Sequence, residues 1–175
     1  MGTQSEIKAA MERVERVFSA KPEAARVTKS ATVTWEDGLR CTAEDEGFKL
    51  TADMAEAMGG EGAGPAPGAL ARMALGSCVA MSYAMSFARR GVAFTRLSVR
   101  VEADMDVRGG LGMPDAPRGY TGVRCIIHVD SHADPALIES VGEEARLNSM
   151  VGKTFSNPTP VEFLVRLNAS HIGLD

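Results

Sequence analysis

The side chains with the widest chemical reach in this sequence are its three cysteines, Cys41, Cys78 and Cys125. A thiol can be a nucleophile, a redox centre, a metal ligand or half of a disulfide, and spacing sorts these roles. The three are an odd number without the paired spacing of a zinc site, so free thiols are expected, with no metal centre and no structural disulfide. Cys78 is the best placed for redox chemistry. It stands in Gly76-Ser77-Cys78 inside a long apolar run, and steps of three and four put it in line with Ala71, Leu75 and Met85. The same position suits a packing residue, since free cysteine is among the most buried residue types.

Reactivity requires the thiolate, and an unperturbed thiol with a pKa near about 8.5 supplies only a few per cent of it at neutral pH. A cationic neighbour is therefore needed. Arg72 precedes Cys78 on a different helical face, and the helix start at Pro67 is too distant for its dipole to act. The charge must come from another element. Arg40, just before Cys41, is the leading candidate for thiolate activation, and Arg124 is the second. Cys41 and Cys125 both fall in expected strands, and the strand over residues 123–129 is expected to bury Cys125 in the core.

The elements that must position these residues follow from periodicity. Ile7, Met11, Val14, Val17 and Phe18 recur at helical spacing, and Pro22 ends that helix. Val27, Ala31, Val33 and Trp35 then alternate with polar residues up to a turn at Glu36-Asp37-Gly38. A return strand over residues 39–43 and a third run with Phe48, Leu50 and Ala52 complete a meander. Residues 59–68 (GGEGAGPAPG) are a loop without the GK[ST] ending of a phosphate cradle. Pro67 opens the longest helix, which runs to about Arg90 and is apolar on nearly every side, so it is expected to be covered all round by protein, either its own or a partner subunit's.

Phe94, Leu97, Val99, Val101, Met105 and Val107 then alternate along a long strand, and residues 120–129 form its mate. Asp134-Pro135 starts an amphipathic helix through Leu137, Val141 and Ala145. A final strand is expected to carry Val161, Phe163, Val165 and Leu167. The expected order is α, βββ, α, ββ, α, β: an α+β chain of a single domain over residues 1–175, with no internal repeat.

Composition narrows the function classes. A net charge of −4 with scattered basic residues argues against a nucleic-acid groove. The longest apolar run is too short to span a membrane and is bracketed by Arg72 and Arg89-Arg90, so no membrane partner is expected. Charged residues interrupt the first twenty positions, which do not read as a secretory signal, and a cytoplasmic setting is expected.

Two stretches resemble the OsmC/Ohr family of osmotically inducible and organic hydroperoxide resistance proteins. One is GPAPGALARMALGSCVAMS (residues 64–82), where a Gly-rich loop and a proline lead into the helix bearing the family's peroxidatic cysteine. The other is FSNPTPVEF (residues 155–163), similar to the family's link into its last strand. The helix over residues 1–21 looks like an addition. The resemblance implies antiparallel sheets wrapped around long central helices in an intertwined homodimer, with Cys78 as the attacking thiol and no cofactor. It also exposes two departures. Ser149, in SMVGKT (residues 149–154), stands where the family's resolving cysteine would be, and Gly68 stands where the family carries a glutamate that orients an arginine.

Two functions follow from that resemblance. In one, Cys78 reduces an organic hydroperoxide, becomes a sulfenic acid and is reset by an external thiol, while Met81 and Met85, with Met73, line an apolar substrate pocket. In the other, the dimer has lost the enzyme and binds a small apolar ligand.

Overall fold

The computed structural model of the protein describes residues 3–166. Helix α1, Gln4–Ala20, begins with a capping box in which the Thr3 side chain accepts from the Glu6 amide and Glu6 reaches back to the Thr3 amide. It lies along the central helix, tied by an Arg89–Glu15 ion pair and by Gln4 Nε2 donating to the Val92 carbonyl at 2.9 Å.

Strands β1 (Thr32–Asp37), β2 (Arg40–Asp45) and β3 (Phe48–Ala52) form an antiparallel meander in that order. The register sets Val33, Ala43 and Leu50 in one row and Trp35, Cys41 and Ala52 in the next, with Asp45 opposite Phe48. Because side chains alternate along a strand, these rows share one mainly apolar face, and Thr34, Thr42 and Thr51 share the other. Val33, Trp35, Phe48 and Leu50 are all exposed. Among the described residues, nothing covers most of the meander's apolar face.

Helix α2, Pro67–Arg90, has the bounds that its proline and its Arg89-Arg90-Gly91 ending predict. Gly91 closes it in the left-handed conformation, φ +65°, a position that favours glycine. One face is buried through Leu75, Val79, Ser82, Ser86 and Phe87. The expectation of cover on every side is not met within the chain: Met73, Ser77, Met81 and Met85, four apart on one stripe, are exposed. Burial requires a facing element, and α4, β4, α1 and α5 pack against α2 without covering that stripe.

Strands β4 (Arg96–Met105) and β5 (Tyr120–Asp130) pair antiparallel, with Val101 opposite Cys125 and Val99 opposite Ile127. That row faces α2, where Gly76 comes so near that an added Cβ would lie 3.2 Å from Val101. On the opposite face Arg124 pairs with Glu102 and Asp104. Val107, expected in the strand, instead begins a helical turn, α3 (Val107–Gly110), capped by Asp106. Helix α4, Pro135–Asn148, is capped by Asp134 and buries Val141 and Ala145. The core gathers Phe87, Val92 and Val141 with Tyr83, Phe94, Leu97 and Ile138 around them.

Two features depart from the sequence pattern. Residues Met150–Ser156 form a further helix, α5, where none was expected. The expected last strand does not form over residues 161–166, where Val161, Phe163, Leu164 and Val165 are exposed. An alternating pattern supplies a strand's faces, but the strand itself exists only through hydrogen bonds to a neighbouring edge, and among the described residues this segment meets none. Leu167, assigned to the same strand, lies outside the described residues.

Candidate active site

Cys78 lies on α2, half-buried, beside the junction of α4 and α5. Ser149 sits in that junction with only 1% of its surface exposed. Its hydroxyl has two partners: it accepts from the Gly152 amide at 3.2 Å, capping α5, and it lies 3.5 Å from Cys78 Sγ, to which it donates. Serine suits both, because one hydroxyl accepts and donates at once. At Gly152 a side chain would collide with this arrangement, since an added Cβ would lie 2.8 Å from Ser149 Oγ.

These contacts set the state of the thiol. Burial pushes the Cys78 thiol up, but the Ser149 hydroxyl and the backbone amides of Val151, Met150 and Gly152 outweigh it, and the thiol titrates below the ordinary cysteine value. Arg40 is engaged elsewhere: it pairs with Glu61 and lies 4.0 Å from Asp53, with its Nε buried and without a hydrogen-bond partner among the described residues. Arg124 is held on the outer face of β4–β5 by Glu102 and Asp104.

Asp53, which the sequence reading passed over, is 2% exposed and organises the Gly-rich loop. Its carboxylate accepts from the amides of Met54, Glu61 and Ala63 at 2.8 to 3.1 Å. The loop over residues 59–68 is therefore tied to the end of β3, which fixes where α2 begins. No periodicity marks such a residue, because its partners are backbone amides.

A cavity of about 570 Å³ opens between α2, β5 and α5. Leu75, Val79, Val123 and Ile127 give it an apolar wall, Tyr83, Tyr120 and Phe155 add rings, and Arg146 and Lys153 stand at its margin. Ser149 lines it and thereby joins it to Cys78. Burial, then Glu143, pushes the Tyr83 phenol up, so at neutral pH it is a neutral group. Cys125, expected in the core, instead lines this cavity half-buried, because its row of β5 faces α2 across an unfilled space; burial pushes its thiol up. Met81 and Met85 are on the exposed stripe of α2, away from the cavity. Cys41 is on the meander, on a different sheet from Cys125.

Cys125 and His128, three apart on β5, point to opposite faces of the sheet, and no metal-holding group of acidic, histidine and cysteine side chains occurs among the described residues. Among the same residues no helix is long and apolar enough to cross a membrane.

A long central helix carrying a thiol hydrogen-bonded by a buried serine, packed against an antiparallel sheet and further helices, defines an α+β fold. Residues 60–163 match the family described as OsmC-like protein, and the chain belongs to that family. The chain is similar in fold to the OsmC-like protein of Mycoplasma pneumoniae, with a TM-score of 0.64 at 14% identity over 74% of this chain and 88% of that one. An OsmC-like protein of unknown function from Vibrio cholerae gives 0.59 at 16% identity, over 73% and 93% of the two chains. An organic hydroperoxide resistance protein, OsmC, from Legionella pneumophila gives 0.55 at 18%, over 73% and 88%. No curated protein matches the sequence.

Proposed function

We propose that this chain is a one-cysteine thiol peroxidase that reduces organic hydroperoxides in the cytoplasm as part of an oxidative stress response. The observation that carries the proposal is the Cys78 sulfur receiving a hydrogen bond from the buried Ser149 hydroxyl at the start of α5, a contact that favours its thiolate. The thiolate attacks one oxygen of the O–O bond; an S–O bond forms, the O–O bond breaks, and the departing alkoxide takes a proton and leaves as an alcohol. Sulfur is oxidised by two electrons to a sulfenic acid, which the Ser149 hydroxyl is placed to hydrogen-bond. An external thiol condenses with the sulfenic acid and releases water, and a second thiol reduces the mixed disulfide. An internal partner is not required. In the family pattern a resolving cysteine would stand at position 149, and serine cannot form that disulfide.

We read the whole chain as one domain with α1 as an addition, acting as a homodimer. The apolar face of the meander, the exposed methionine stripe of α2 and the exposed apolar residues of 161–165 support that reading, since large exposed apolar patches mark interaction surfaces. Met81 and Met85 belong to this surface, and a substrate pocket that includes them requires the second subunit.

The cavity supports a second reading, a dimer that binds a small apolar ligand without turnover, because Cys78 is not among its lining residues. Mass spectrometry of the protein treated with cumene hydroperoxide and a sulfenic-acid trap separates the two. The peroxidase gives a trapped adduct on Cys78 that Cys78→Ser abolishes. An unmodified thiol after minutes of exposure favours the ligand carrier.

A further inference from the structure

Helix α5 has a position to explain. It is seven residues long, buries none of them fully, and carries the amides and the cap that act on Cys78. A helix this short does not hold itself, and its place must come from tertiary contacts. Three are visible, two with α2, in reverse order along it, and one with β5. At its start, Ser149 meets Cys78. In its middle, Gly152 lies beside Leu75, one turn earlier in α2; an added Cβ would be 3.9 Å from Leu75 Cδ1. At its end, the Phe155 ring stacks on Tyr120, with centroids 6.3 Å apart and planes at 17°.

Tyr120 itself is anchored. Its hydroxyl donates to the Gly68 carbonyl, in the first turn of α2, at 2.9 Å. Glycine suits that position, since an added Cβ at Gly68 would lie 3.3 Å from the tyrosine oxygen. The hydroxyl and the nearby Arg72 guanidinium occupy the space into which a longer side chain at 68 would project.

We propose that Tyr120 and Phe155 are positioning residues: their stacked rings tie the end of α5 to the first turn of α2 and so hold Ser149 and the leading amides of α5 on the Cys78 sulfur. Neither ring touches the sulfur in this account. They act through the placement of α5, so loosening them costs the thiolate its hydrogen bonds while leaving Ser149 in the chain. The proposal deepens the reading of Cys78 as the reacting thiol and rests on it, but its test does not require turnover.

The test is the pH profile of Cys78 alkylation by iodoacetamide in the full chain, followed by peptide mass spectrometry, with Cys41 in the same samples as an internal reference. In Phe155→Ala the profile of Cys78 is expected to move to higher pH, lowering its rate at neutral pH by on the order of three- to tenfold, while the Cys41 profile stays in place. Tyr120→Phe keeps the ring and removes only the hydrogen bond to Gly68, and a smaller movement in the same direction is expected. If both variants keep the native Cys78 profile, even with lower melting temperatures, the rings are ordinary packing and the proposal is wrong. Should Phe155→Ala not fold, Tyr120→Phe decides alone. The peroxidase reading fails on a different result: no trapped sulfenic acid in the native chain, whatever the alkylation profiles show.

Discussion

Ser149→Ala removes the one side chain that serves both the fold of α5 and the charge state of Cys78, and the two losses have different pH dependence. Without the hydroxyl, the Gly152 amide loses its cap and α5 loses about 1 kcal/mol at any pH. The hydrogen bond to the sulfur is long and its partner is half-buried, so its share is also set at about 1 kcal/mol, well below a short charge-assisted bond. That energy acts only on the thiolate. The thiolate population at neutral pH should fall about fivefold, and iodoacetamide alkylation of Cys78 should slow by the same factor.

The effect on stability has a definite direction. The native thiol titrates below its unfolded value, so its ionisation stabilises the folded chain above the unfolded thiol's range and is lost as pH falls through the native midpoint. In urea unfolding, the gap between the native chain and Ser149→Ala should be about 1 kcal/mol near pH 6 and about twice that near pH 9. A constant gap with an unchanged alkylation profile would mean that Ser149 is a helix cap and nothing more, and the account of thiol activation would fall with it.

Other outcomes follow from the same geometry. Asp53→Ala leaves the Glu61 and Ala63 amides without their acceptor and should cost about 2–4 kcal/mol in urea unfolding, with a smaller loss for Asp53→Asn, which keeps one carbonyl oxygen. Ser149→Cys puts a second sulfur beside Cys78; after hydroperoxide treatment the two positions should be joined by a disulfide on non-reducing peptide mapping, and two free thiols would refute the assigned proximity. In the proposed homodimer, Met81→Glu places a carboxylate in the middle of the exposed α2 stripe and should shift the sedimenting species from dimer to monomer; a dimer mass unchanged by the substitution would refute the stripe as the interface.

Elements defined by local chemistry were legible from residues alone. Pro67 and the Arg89-Arg90-Gly91 ending bound α2, Asp134-Pro135 starts α4, and alternation about the turn at Gly38 marks the meander. Each depends on neighbours within a few positions, so the sequence carries it whole. The last strand does not form because alternation supplies only the faces of a strand, and over residues 161–166 no pairing edge is met among the described residues. Helix α5 was missed because seven residues containing Gly152 show no period long enough to register.

The sequence by itself determined the α+β class, the succession of main elements as far as α4, the central helix and the thiol at its middle, through periodicity and helix-end residues that act locally. Tertiary structure alone brought the Ser149 hydroxyl to that thiol. A sequence displays charged side chains, so it pointed to Arg40. The groups that lower the Cys78 pKa are a hydroxyl and backbone amides, which every sequence contains and which gain direction only when a short helix is aimed at the sulfur.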